Sequence, residues 1–178
     1  MDYEIKTFSI SADKVNIDSS LALRYLRVRR EPDEQIKEIY KSCLDEFLPV
    51  VSYKACYRYF DIDVVDDTVH FADELTLQSE KLSKNLLGCK GAFVLVATTS
   101  ISVDRLIQKH STLRVSRALV IDAIGSAAVE AFANTVCSKL STEYNITFRP
   151  RFSPGYSDLS IVTQKDLLSV CDASRKIG

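Results

Sequence analysis

Glycine and proline are scarce in this chain, at 5 and 4 of 178 residues. That is too little turn chemistry for a many-stranded sandwich, so helices must supply much of the structure. Collagen-like, disordered and linker-dominated architectures are excluded on the same ground. Net charge is nearly absent too. With 24 acidic against 23 basic residues the formal charge is -1, which argues against a dedicated nucleic-acid binder, whose affinity rests on a basic surface that releases counterions. The five cysteines, Cys43, Cys56, Cys89, Cys137 and Cys171, are widely spaced without a CxxC pair, and His70 and His110 each stand alone. Neither a disulfide framework nor a zinc site can be read from that pattern. The opening segment MDYEIKTFSI lacks the apolar core of a signal peptide, and no run approaches the roughly 18 apolar residues of a membrane span. The expected location is the reducing cytoplasm, with no nucleic-acid or membrane partner.

What is present is ordinary soluble composition, 46% hydrophobic, in clearly patterned segments. Residues 3–10 alternate polar and apolar side chains as a strand does. A short helical stretch at 21–26 leads into four arginines, Arg24, Arg27, Arg29 and Arg30. The segment EPDEQIKEIYKSCLDEFLPVV places Pro and acids at a helix start, Ile36, Ile39, Tyr40, Cys43 and Phe47 at helical spacing, and Pro49 at the end. Residues 52–65 alternate aromatic and β-branched side chains with charge and predict a long strand that turns at Asp66-Asp67 into Thr68–Phe71 as a hairpin. Ser79 can cap a helix that stops at Gly88, and AFVLVA at 92–97 reads as a buried strand. A loop and short helix then precede the longest helix, 114–144, apolar nearly all round in ALVIDAIGSAAVEAFANTV. The tail alternates in ITFRPRF, turns at Ser153-Pro154-Gly155-Tyr156, and resumes helix near Thr163 with Asp166 placed as in a capping box. Residues 1–178 are expected to form one domain of α+β class, a twisted, largely antiparallel sheet packed with helices.

No P-loop, GxGxxG, HExxH or GxSxG is present, which removes the commonest nucleotide, metalloprotease and hydrolase signatures. The informative residues lie on the long helix and after it. On a helical wheel Glu130 shares its face with Ala123, Ser126, Ala127, Asn134 and Cys137, all small, and a carboxylate set among small residues needs donors or a cation. Arg149 and Arg151 lie two apart in an extended segment and so project from one face. Pro154-Gly155 suits the centre of a type II turn, and Gly155 lets a ligand approach the backbone. An arginine fork, an open glycine and Tyr156 suit a ligand with a carboxylate at one end and a flat ring at the other. An ordinary Glu–Arg pair beside a structural turn is the plain alternative.

The run RFSPGY, Arg151 to Tyr156, fits the pattern RxxxGY and resembles the signature of the activation domain of vitamin B12-dependent methionine synthase. The stretches GCKGAFVLVATTS, VDRLIQKHS and ALVIDAIGSAAVEAFAN are similar to the free-standing form of that domain, and LRYL and EPDE extend the likeness more loosely into the amino-terminal half. The resemblance implies S-adenosylmethionine binding. Arg151 would take the methionine carboxylate, the Gly155-Tyr156 backbone would lie against the adenosyl part, and Glu130 would assist. It further implies a cobalamin-carrying partner, either methionine synthase or a related corrinoid protein, whose cob(II)alamin is reductively methylated with an electron from a separate reductase. The chain departs from the family at SDLSIVTQ after Tyr156, and at Thr98-Thr99-Ser100, where the family has Thr-Leu-Gly. It also ends before the family domain's last part, and no counterpart is identified for the aspartate that meets the ligand's amino group. A non-catalytic adaptor that docks a corrinoid protein, or a small-molecule binding domain of another pathway, is the alternative function.

The remaining standouts have plain readings. The arginine cluster is followed directly by Glu31, Asp33 and Glu34 and reads as a solvated charged surface. Asp61, Asp63, Asp66 and Asp67 lack the glycine and terminal glutamate of a calcium loop. Cys89 and Cys137 read as small buried hydrophobes, and His110 near a helix end as a favourable charge for the helix dipole.

Overall fold

The structure is a computed structural model that describes residues 2–28 and 30–178, so Arg29 of the arginine cluster lies outside the described residues. The strands are β1 (Lys6–Ile10), β2 (Tyr53–Val65), β3 (Thr68–Phe71), β4 (Leu75–Gln78) and β5 (Gly91–Thr98). The helices are α1 (Ser19–Tyr25), α2 (Glu34–Phe47), α3 (Glu80–Leu86), α4 (Ile101–Ser111), α5 (Val115–Tyr144), α6 (Gln164–Val170) and α7 (Ala173–Ile177). The chain divides into two compact units, one of Met1–Phe8, Ala55–Val96 and Lys139–Gly178, the other of Ser9–Lys54 and Ala97–Ser138.

The first unit is built on an antiparallel sheet packed with helices. Its strands run β1-β2-β3-β4, with β5 also paired to β2. Val69 of β3 lies opposite Val64 of β2 and Leu77 of β4, so β-branched and aliphatic side chains stack across the strands. Asp66, at φ +51, makes the tight reversal between β2 and β3 where the sequence places it. Alternation sorts β2 into two faces. Cys56 and Phe60 join Val69, Phe71, Leu77 and Val94 in a core closed by Leu82 of α3, Leu159, and Cys171, Ala173 and Ile177 at the carboxyl end. On the opposite face Tyr57 and Tyr59 meet Phe93, with ring centroids 6.2 and 5.3 Å apart, and Phe93 continues to Tyr144 and Phe148. The apolar run of β5 predicts burial on both faces, yet only Val94 is buried. On the second face Phe93 is only half-buried, among Tyr57, Tyr59, Phe148 and Tyr144 at the end of α5.

Helix α3 begins at Ser79, whose Oγ accepts from the Leu82 amide at 3.0 Å, and ends just before Gly88 at φ +80. Strand β4 and helix α7 are not anticipated by the sequence patterns. The expected cap at Thr163 is replaced by a short 3-10 turn, Ile161–Thr163, in which the Val162 amide donates to Ser160 Oγ at 3.3 Å. ITFRPRF is not a strand.

The second unit is helical. Asp33 caps α2 through the Ile36 amide at 2.9 Å, as the acidic start predicts. Cys43 and Phe47 of α2, Val103 and Leu106 of α4, and Ile121, Ile124, Ala127 and Phe132 of α5 are buried. Tyr53 stacks on Phe132 at 5.2 Å between centroids, and burial pushes its hydroxyl up to about 12. By length and composition α5 is apolar enough to cross a membrane, although half of its most apolar window is buried, as in a core helix.

Candidate functional site

Three of the four residues singled out in the sequence lie on one turn of the first unit. Pro154 and Gly155 take its central positions, the Tyr156 amide donates to Ser153 O at 3.0 Å, and Gly155 has φ +82. This is the type II geometry that Pro-Gly favours, and a side chain at the second position would be strained. A second loop follows, in which the Gly155 amide donates to Leu159 O at 2.8 Å and the Leu159 amide donates to Tyr156 O at 3.2 Å. The amides of Gly155 and Tyr156 are therefore already bonded within the turn. A ligand here would meet side chains and carbonyl oxygens instead.

Arg151 is exposed at the start of the turn, and Tyr156 is 63% exposed with its ring edge-to-face against Phe152 at 5.1 Å. Phe152 is partly buried on the sheet core, so the tyrosine has a fixed apolar support. Arg149, the less central of the two arginines, donates to Leu87 O at 3.3 Å and braces the chain. Ile161 leans over the glycine, since a Cβ on Gly155 would stand 3.2 Å from Ile161 Cδ1. Asp158 escaped the sequence reading. Its carboxylate accepts from Ser79 Oγ at 2.6 Å and from the Lys81 amide at 3.2 Å, and these bonds, the serine's first, hold it below the ordinary carboxylate range.

Glu130 belongs to the second unit, where it is half-buried on α5 with Ala123 and Ala127 buried on the same face. That unit also holds a cleft of about 260 Å³ that the sequence did not reveal, lined by Thr98, Thr99, Asp104, Asp122 and Ser126 among others. Next to Thr99, Ser100 has φ 78 and ψ 155, a conformation essentially reserved for glycine.

His110 is not a bare charge at a helix end. It is 3% exposed, with Nε2 2.8 Å from Glu46 Oε2, and because a carboxylate only accepts, the ring donates. Arg117 also bonds Glu46, and His110 first, with Arg117 next, keeps that carboxyl below the usual glutamate range. Cys89 and Cys137 are half-buried rather than buried. Cys171 is fully buried against Cys56 and the Val94 carbonyl, at 3.6 Å from the latter. A hydrogen bond with the free thiol of Cys56, and desolvation, raise its thiol well above the ordinary range, which makes it an inert core group. Among the described residues no group of three His, Cys, Asp or Glu is placed to hold a metal ion.

No family model and no curated protein matches the sequence. Among solved structures, the chain is similar to one described as the crystal structure of the MetH reactivation domain bound to AdoHcy. The TM-score is 0.67 at 11% identity, over 95% of this chain and 70% of that one. At that identity the likeness is one of architecture, and it extends over nearly every element described above. The chain has the fold of the MetH reactivation domain.

Proposed function

We propose that this chain, acting as one activation-like domain in the cytoplasm, binds S-adenosylmethionine through Arg151, Gly155 and Tyr156, with Glu130 as a further binding group. In this reading it is the reactivation partner of a cobalamin-dependent methionine synthase or related corrinoid methyltransferase. The observation that carries the reading is the fold shared with a reactivation domain solved with AdoHcy, together with a turn segment that carries an arginine, a glycine and a tyrosine within six residues. When bound, S-adenosylmethionine would supply a sulfonium methyl group, with S-adenosylhomocysteine as the leaving group, to a corrinoid that a partner would carry and a separate reductase would reduce.

The chain's own residues bind and orient. Arg151 offers a planar fork to the ligand's carboxylate. Gly155 removes a side chain from the path to the backbone, and Tyr156, supported by Phe152, gives a flat surface for a ring. Holding a methyl donor in one pose is the contribution such a domain can make, because the chemistry resides in the two cofactors.

Calorimetric titration with S-adenosylmethionine tests the reading. Arg151→Ala is expected to weaken binding by about 2 kcal/mol, roughly thirtyfold, with the fold retained. An unchanged dissociation constant removes Arg151 from the site, and a wild-type protein that does not bind overturns the reading. Methylcobalamin formed only when partner, reductant, S-adenosylmethionine and this protein are combined would establish the reactivation step by its visible spectrum.

One observation favours the adaptor reading, in which the chain docks a corrinoid protein without delivering a methyl group. The space that the missing side chain of Gly155 leaves is already filled by Ile161, whose Cδ1 would lie 3.2 Å from a Cβ there. Cobalamin spectra that never respond, with ligand shown to bind, would select it.

A further inference from the structure

The turn that carries Arg151, Gly155 and Tyr156 has almost no regular structure of its own. Its shape must come from what holds its two ends. Both ends are tied to α3. Before the turn, Asn85 Nδ2 donates to Pro150 O at 3.1 Å and Arg149 donates to Leu87 O at 3.3 Å, both at the carboxyl end of that helix. After the turn, Asp158 accepts from Ser79 Oγ at 2.6 Å and from the Lys81 amide at 3.2 Å, at the opposite end of the helix.

The Ser79 hydroxyl is used twice. It donates its proton to Asp158 and accepts from the Leu82 amide at 3.0 Å, so the residue that caps α3 is also the one that grips the turn. Ser79 is 3% exposed, which limits competition from water for the same bonds. Leu159, next to Asp158 and also 3% exposed, inserts into the sheet core and adds an apolar peg at that end. A seven-residue helix is only about 10 Å long. It is a short rigid element whose two ends fix the separation of residues 150 and 158.

We infer that α3 is a splint for the 151–156 turn, with Asp158 and Asn85 as positioning residues at its two ends. Ligand affinity is then set in part by side chains that touch α3 and not the ligand. The consequence for affinity rests on the S-adenosylmethionine reading, whereas the consequence for the turn's order does not. Loosening either tie lets the turn sample conformations in which Arg151 and Tyr156 are wrongly spaced, and only the competent fraction binds.

The test uses the full chain and two readouts. Asp158→Asn keeps the size of the side chain but removes the charge that receives two donors. Asn85→Ala releases the other end without touching the helix cap, and stands in if the first variant fails to fold. Lys37→Ala, which removes a surface pair with Glu34 on α2, away from the turn and α3, is the control. Amide hydrogen exchange without ligand should accelerate about tenfold at Gly155, Tyr156 and Leu159 in both turn variants and stay unchanged in the control. S-adenosylmethionine should bind about tenfold more weakly to both variants, because each loses a tie at one end of the turn. Unchanged exchange at those three amides overturns the splint whatever the ligand does. Faster exchange with an unchanged dissociation constant overturns its role in binding. A wild-type chain that binds no S-adenosylmethionine overturns the ligand reading, and the exchange result then decides the splint alone.

Discussion

Replacing Ser100 by glycine should make the protein more stable, although serine at the start of a helix is ordinarily an asset. Ser100 precedes α4 with φ 78 and ψ 155, and its side chain makes no capping bond. Its Oγ is instead buried without a partner. Two penalties therefore fall on one residue. The backbone conformation costs about 1–3 kcal/mol for a residue with a Cβ, and an unsatisfied buried hydroxyl costs about 1–3 kcal/mol. Glycine removes both, against about 0.5–1 kcal/mol for the extra freedom it gives the unfolded chain. The useful bonds survive, since the residue's amide still donates to Thr98 Oγ1 at 3.1 Å and its carbonyl still accepts from the Val103 amide at 3.1 Å. The net gain should be at least about 1 kcal/mol, or a melting point higher by about 2–4 °C for a chain of this size. Urea unfolding at constant m-value measures it. Ser100→Ala separates the parts, because it removes the hydroxyl and keeps the strain, and should recover less than glycine does. A glycine variant no more stable than wild type would refute the reasoning.

Three other expectations follow from the same kind of accounting. Glu46 has a folded pKa below its ordinary value of 4.5, so the unfolded chain protonates there first as pH falls. Its contribution is present above about pH 4.5 and is lost as pH drops through the lowered folded value. Glu46→Gln should be less stable at neutral pH and show a shallower acid limb in urea midpoints taken across pH, whereas parallel profiles would contradict this. Gly91→Ala should lose about 1–3 kcal/mol, because the new Cβ would stand 2.1 Å from the hydroxyl and 2.4 Å from Cζ of Tyr59, a ring packed on Phe93 and bonded to Asp61. Full stability in chemical denaturation would show that the ring moves freely. Glu130→Gln should weaken S-adenosylmethionine binding in calorimetry, and wild-type affinity together with wild-type stability would make Glu130 an ordinary surface residue.

Local chemistry was legible in the sequence wherever one segment decides its own shape. Asp33 starts α2, Asp66 turns the hairpin, Ser79 and Gly88 bound α3, and Pro154-Gly155 makes the turn, each through neighbours a few residues away. The candidate turn is readable for that reason, since Arg151, Gly155 and Tyr156 fall within six residues. What escaped depends on distant partners. Strand β4 has only four residues, too few for a period to show, and exists because Leu75 and Leu77 pair with Phe71 and Val69. His110 meets Glu46 across 64 residues and Ser79 meets Asp158 across 79. No local pattern announces such pairs, and a histidine whose partner is out of view can only be read as a solitary charge.

The segment after Tyr156 departs from the family that the sequence resembles, and a divergent loop invites the conclusion that it is unstructured. Its contacts argue otherwise. Asp158 grips the start of α3, Leu159 enters the core, Ser160 serves the Val162 amide of the next turn, and Ile161 leans on Gly155. Four consecutive residues with four separate structural tasks are not a relaxed loop. A fold at 11% identity to its neighbour keeps only what the physics of the fold demands, namely alternation in the strands, apolar faces on the helices and turn residues at the reversals. The conformation of Gly155 at positive φ is set locally by the Pro154-Gly155 turn, whereas its bracing comes from side chains far off in sequence. In this chain the residues that brace the 151–156 turn have to be found from the structure, because Ser79 and Asn85 are far from it in sequence.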